Sequence, residues 1–276
     1  MLNDRLAIVI PLITLSVWVI WLGGPVYALC LTGMFALAAR EYVRIFRAAG
    51  NRPAEWLLII SVGLIVLARA FWPVIETGWV LAFSAVAALL WHLREYEQGI
   101  NTSGTDFAIT LGGIFYLGWM GSYFVLLRAL PEGLWWTAIL LGGVWLADSA
   151  AYIFGRWLGR HKLAARLSPK KTWEGFFGGI FGGAFFSAGL AVVWHIGAGP
   201  QSLVNWHTGA LLGALVGLVG PIGDLGISML KRQTGLKDSG ELLAGHGGVL
   251  DRIDSWLVAL PVGYYAVLLL QALFSA

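Results

Sequence analysis

Nine apolar runs divide this sequence, at about 6–22, 24–39, 56–72, 78–93, 107–127, 134–155, 175–197, 208–230 and 255–274. A helix needs about 20 mostly apolar residues to cross a bilayer. Most of the runs reach that length, and the second and fourth are short. Only 12% of the residues are charged, against roughly 25% in a soluble domain. Such a chain has too little polar surface to face water all round. The expected fold is an all-α integral membrane protein with about nine transmembrane helices. The first run follows only Asp4 and Arg5; no small-x-small cleavage pattern follows it, so it is expected to be a retained span. Cys30 is the single cysteine, so no intrachain disulfide can form and nothing requires an oxidising compartment.

Lys and Arg set the orientation, because they accumulate on the cytoplasmic side. With the N-terminus in the cytosol, sixteen of the 18 fall in cytosolic segments. Arg128 is the one on the opposite side, and Arg69 lies inside a span near its outer end. This asymmetry supports an odd number of spans and an external C-terminus. Residues 1–130 then form N-terminal membrane spans. Residues 131–276 form a membrane region with two polar cytosolic loops, 155–175 and 231–254.

Each loop follows a span that carries an acid at membrane depth: Asp148 in "WLADSAAY" and Asp224 in "GPIGDLGISML". Ionisable groups there are expensive and mark functional sites. Pro221 is expected to disrupt the helix ahead of Asp224. Freed carbonyls beside a carboxylate suit a hard cation such as Mg²⁺. The second loop adds Lys231, Arg232, Lys237 and Arg252, the turn Gly245-His246-Gly247-Gly248, and Asp251 and Asp254 three residues apart. Glycines allow close backbone approach or positive φ. Cations, glycines and separated carboxylates together point to a polyphosphate with its metal. A solvated loop at the lipid surface explains the cations alone. In "SPKKTWEG", Ser168 is expected to cap a helix with Pro169 at its first position. Lys170 and Lys171 would then sit at a helix N-terminus, where an anion relieves their conflict with the dipole. His92, His195 and His207 are expected at span ends, Asp106 as a helix cap, and Trp135-Trp136 in an aromatic belt. No zinc spacing, P-loop or nucleophile elbow occurs.

Ser228-x-x-Lys231-Arg232-x₄-Lys237-Asp238, followed by Gly245-His246-Gly247-Gly248-x-x-Asp251-Arg252-x-Asp254, resembles the signature of the phosphatidate cytidylyltransferases, or CDP-diacylglycerol synthases. "ADSAAYIFGRWLGRHKLAARLSPKKTWEG" looks like that family's other cytosolic motif. Ala244 stands where the family usually has proline. The resemblance implies that CTP and phosphatidate give CDP-diacylglycerol and pyrophosphate with Mg²⁺, at a bacterial inner membrane with the site facing the cytosol. The residue roles expected on this footing are metal binding by Asp224 and Asp251, with a second metal ion left open. Lys170, Lys171, Lys231, Arg232 and Lys237 would contact phosphates. Ser168, His246, Gly247, Gly248 and Arg252 would line the substrate site, and Asp148 and Asp254 would support the metal or add ligands to it. The partners are CTP, phosphatidate and the bilayer, with a homodimer left open and no nucleic acid. A CTP-dependent polyprenol-type lipid kinase and an anion transporter are the alternatives.

Overall fold

The computed structural model describes residues 11, 14–72, 77–240 and 247–274. Helical residues 14–22 lead into α1 (Gly24–Ala48), α2 (Glu55–Phe71) and α3 (Gly78–Glu97). Then α4 (Ser103–Gly113), a π-helical segment (Ile114–Met120) and α5 (Tyr123–Ala129) run on as one rod. The second half comprises α6 (Gly133–Leu158), strands β1 (Lys162–Ala164) and β2 (Ser168–Thr172), α7 (Trp173–Ala198), α8 (Trp206–Gln233) and α9 (Leu250–Phe274).

Among the described residues six helical segments are long and apolar enough to cross a membrane: α1, the α4–α5 rod, and α6 to α9. The protein is a helical membrane protein. The helices on runs 56–72 and 78–93 fall outside that set. α2 has 17 residues, and α3 ends in the polar sequence His92 to Glu97. The first run lies partly outside the described residues. The fold is also not purely helical, because β1 and β2 pair antiparallel, Lys162 opposite Thr172 and Ala164 opposite Ser168.

Small residues let α6, α7 and α8 approach closely, as helices in lipid do where backbones touch. Gly175, Gly178, Gly179, Gly182 and Gly183 are buried along α7. A Cβ on Gly183 would meet the Gly213 carbonyl oxygen of α8 at 2.5 Å, and one on Gly217 the Gly179 oxygen at 2.8 Å. Gly213→Leu is therefore expected to push α7 and α8 apart, at or above the ~1–3 kcal/mol typical of overpacking. A thermal melt in detergent should show a clearly lowered midpoint; an unchanged one would mean the two helices do not cross here.

In the N-terminal half, Phe35 and Phe124 meet edge to face at 5.5 Å. Gly113 and Gly118 of the rod lie against Tyr42, Leu58, Val62 and Ile65 of α1 and α2. Arg69 stacks over Trp119, 4.3 Å from the ring centroid. Arg128 donates to the carbonyls of Ile20 at 2.8 Å and Trp21 at 3.2 Å, tying residues 14–22 to α5.

Several local expectations change. Ser168 does not start a helix; it begins β2, and Thr172 caps α7 by accepting from Gly175 N–H at 3.1 Å. Lys170 and Lys171 consequently lie on a strand. Pro221 does not interrupt α8, which runs unbroken from Trp206 to Gln233. Asp106 lies inside the first turn of α4, where it accepts from Arg52 N–H and the Thr102 hydroxyl, both at 2.7 Å. His92 is buried rather than interfacial, between Glu95 at 2.6 Å and Thr110 at 2.9 Å.

Candidate active site

α6, α7, α8 and α9 alternate in direction: Gly179 lies against Ala151 and Gly183 against Ala147, Gly183 also lies against Gly213 and Gly217 against Gly179, and Gly223 lies against Asp254. The C-terminal ends of α6 and α8 and the N-terminal ends of α7 and α9 therefore share one end of the bundle. All the described residues among the sequence-predicted site residues lie on these four ends or on the segments joining them.

The hairpin delivers the first cation. Its base is clamped by Glu174, which accepts from Arg160 N–H at 3.1 Å and from the His161 ring at 2.6 Å. Trp173 N–H returns to the His161 carbonyl at 2.9 Å. Thr172 lies against Gly155 and Gly159. β2 is so placed that Lys171, half-buried, forms an ion pair with Asp224 of α8. Lys170, one residue earlier on the strand, is exposed.

Two further carboxylates gather around Asp224. Asp224 also accepts a long hydrogen bond from Ser228 at 3.4 Å. Asp148 of α6 is within electrostatic reach of both Lys171 and Asp224. Asp254 of α9 is within reach of Asp224, Asp251 and Asp148. The approach of Asp254 has a local cause: Gly223 presents no side chain, so α9 lies with the Asp254 backbone directly against it. Asp254 is buried and accepts from Ser255 N–H at 2.7 Å. Tyr116 of the π-helical segment is also within reach of Asp254 and Asp224.

Asp251 stands in a second, adjoining cluster. Its Oδ1 takes Lys231 Nζ at 2.6 Å. Its Oδ2 accepts from Ser239 N–H at 2.9 Å, Ser239 Oγ at 3.0 Å and Gly248 N–H at 3.2 Å. Glu41 of α1 closes the cluster from the other side. Its buried carboxylate accepts from Val249 N–H at 2.9 Å, Leu250 N–H at 2.8 Å and Ser239 Oγ at 2.9 Å. Two carboxylates thus grip both ends of the segment between Ser239 and Gly248, and Glu41 caps the N-terminus of α9. Gly247 has φ of +77°, a backbone setting that glycine adopts without strain. His246 lies outside the described residues. Arg232, Lys237 and Arg252 are exposed at the same end of the bundle.

The expected residues therefore form two groups: Lys171 with Asp148, Asp224 and Asp254, and Lys231 with Asp251. Sequence reasoning missed Glu41 and Ser239. Glu41 sits among Arg40, Arg44 and Arg47 and reads locally as a surface charge. Ser239 had only its place beside Lys237-Asp238 to recommend it.

Among the described residues no three His, Cys, Asp or Glu side chains are close enough to hold a metal ion by themselves. Mg²⁺ asks for less, since it keeps waters and takes one or two carboxylates plus substrate phosphates. Carboxylates grouped around Lys171, with a second lysine-bound carboxylate beside them, are an oxygen donor set that fits this demand.

The model of the Cytidylyltransferase family matches residues 3–270. A phosphatidate cytidylyltransferase of Synechocystis sp. is 34% identical, covering 94% of this chain and 94% of its own. One from Brucella suis is 34% identical over 95% of this chain and 92% of its own. One from Staphylococcus aureus is 36% identical over 78% and 79%. The chain belongs to the cytidylyltransferase family.

Proposed function

We propose that this protein is a CTP:phosphatidate cytidylyltransferase, working at the cytosolic face of a bacterial inner membrane. The observation that carries the reading is the pairing of lysines with carboxylates at one end of the bundle, Lys171 on Asp224 and Lys231 on Asp251, in a chain of this family. The family match and the relatives' names support cytidylyl transfer and lend nothing to the kinase or transporter alternatives.

An oxygen of the phosphatidate phosphate attacks the α-phosphorus of CTP, the bond from that phosphorus to the β-phosphate bridge breaks, and pyrophosphate leaves. The phosphate monoester is already nucleophilic, so no Ser or Cys needs activation. Catalysis is then positioning and charge neutralisation. Lys171 and Lys231 turn from their carboxylates to phosphate oxygens. Lys170, Arg232, Lys237 and Arg252, exposed at the rim, draw the triphosphate in. Ser168, Gly247, Gly248 and His246 line its seat. Asp224 and Asp251, once free of the lysines, would hold Mg²⁺, with Asp148 and Asp254 beside them. Bound there, Mg²⁺ supplies charge stabilisation to the attacking and leaving oxygens.

The test is incubation of the purified protein with labelled CTP, phosphatidate and Mg²⁺ in detergent. Label in a CDP-lipid with release of pyrophosphate supports the reading; CDP with a newly phosphorylated lipid overturns it.

The nine-span arrangement, N-terminus inside and C-terminus outside, is part of this proposal and rests on the Lys and Arg asymmetry. In a Cys30→Ala background, Arg166→Cys and His207→Cys sit at opposite ends of α7 and α8. In intact cells an impermeant maleimide is expected to label His207→Cys and a cysteine appended at the C-terminus, and to spare Arg166→Cys. Labelling of Arg166→Cys would invert the orientation.

A further inference from the structure

A cavity of about 680 Å³ lies between residues 15–21, α1, α6, the end of α7 and Trp256 of α9. That volume is in the range of small-molecule sites, about 300–1,000 Å³. Its walls are almost wholly apolar. On α6 they include Leu134, Ala138, Leu141 and Trp145. These positions are spaced i, i+4, i+7 and i+11, so they form one stripe along the helix. The next position on the same stripe is Asp148, three residues beyond Trp145. The apolar wall therefore runs straight into the carboxylate cluster. Trp145 and Trp256 meet at the cluster end with ring centroids 5.3 Å apart. Leu134 and Asp148 are 14 residues apart, about 21 Å at 1.5 Å per residue. One leaflet of a ~30 Å hydrocarbon core is about 15 Å deep, so a lipid tail of that length fits between them. Trp145, at the cluster end of the cavity, is 44% exposed.

We infer that this cavity receives an acyl chain of the lipid substrate while its phosphate is held at the carboxylate and lysine cluster. The inference rests on the proposed reaction and adds a chain-length preference to it. The walls offer a polar ligand little beyond a few groups such as the Trp256 indole N–H, whereas a tail tethered to a phosphate at Asp148 is led onto the α6 stripe by the helix itself.

Ala138→Phe and Met34→Trp fill the cavity from two different helices, each at a partly exposed position. Each variant is assayed with dioleoyl and with dihexanoyl phosphatidate, at fixed CTP and Mg²⁺. For the long-chain lipid kcat/KM is expected to fall about 10-fold or more, the scale on which one methylene too many is discriminated in an apolar pocket. For the short-chain lipid it is expected to hold, which also reports an intact fold. Equal effects on both lipids, or none, overturn the inference while the cytidylyltransferase reading stands. Equal effects accompanied by a changed oligomeric state in light scattering assign the cavity to contact with a second copy instead. Failure of the unaltered protein to make a CDP-lipid from either substrate removes the reading itself, and the inference with it.

Discussion

Asp224→Asn is expected to lower turnover about 10²–10³-fold, the usual loss when one charge-stabilising group is removed from an active site. Asn keeps the size of the side chain and its hydrogen bond with Ser228, but loses the charge that pairs with Lys171 and that a divalent cation requires. Asp251→Asn is expected to fall in the same range. It loses the ion pair with Lys231, while an amide oxygen can still accept from Ser239 or Gly248. The double variant should be little worse than either single one, because residues that act as a unit are strongly non-additive. Glu97→Gln, at an exposed position at the end of α3, should behave like the unaltered protein. The measurement is turnover across a Mg²⁺ titration for the four variants and the unaltered protein. Both single variants should need more Mg²⁺ as well as running slower. If both turn over normally with unchanged Mg²⁺ dependence, the metal is not held by this pair, and Asp148 becomes the residue to substitute next.

Glu41→Ala is expected to be nearly as damaging, although Glu41 contacts no proposed substrate group. The substitution strands the N–H groups of Val249 and Leu250, and leaves the Ser239 hydroxyl with Asp251 alone. Buried donors left without acceptors cost about 1–3 kcal/mol each, and the N-terminus of α9 also loses a favourable negative charge. α9 carries Asp251 and Asp254 in its first two turns, so a small displacement there moves both. A misplacement of about 1 Å can cost 10²-fold in rate. Glu41→Gln retains one oxygen acceptor, and its activity should lie between those of the alanine variant and the unaltered protein. A positioning role predicts that kcat falls more than KM for CTP rises and that Gln rescues in part. If alanine and glutamine variants are equally and fully active, the clasp has no bearing on catalysis.

The helices of the second half were legible because nothing but a helix satisfies backbone groups along 20 apolar residues in lipid. The acids at Asp148 and Asp224 were legible for the same reason, being costly where they stand. The hairpin was not. "SPKKTWEG" offers two helix starts, Ser168-Pro169 and Thr172-Trp173, and local propensity favours neither decisively. Thr172 prevails through what it touches, Gly155, Gly159 and Gly175, which are distant in sequence. The conflict of two lysines with a helix N-terminus is resolved by their not being on the helix. Asp224 and Asp251 were expected as a pair. Each is bound to its own lysine, and Asp254 comes close to Asp224 because Gly223 admits α9 there, an arrangement that the spacing along the chain does not encode. Asp106 and Glu41 escaped for one reason: each serves backbone N–H groups of a remote segment, and such service leaves no mark in the flanking residues.

The grip of Glu41 on the start of α9 spans 209 positions of the chain, and this imposes an order on biogenesis. At about 5–20 residues per second, the ribosome delivers Leu250 roughly 10–40 s after Glu41. Throughout that interval Glu41 lacks every acceptor duty described for it, and Asp251 and Asp254 do not yet exist. A nascent chain with most of its spans inserted therefore has no assembled site. Synthesis must run into the last helix before α9 can be seated, so competence to handle nucleotide comes as the closing event of membrane insertion.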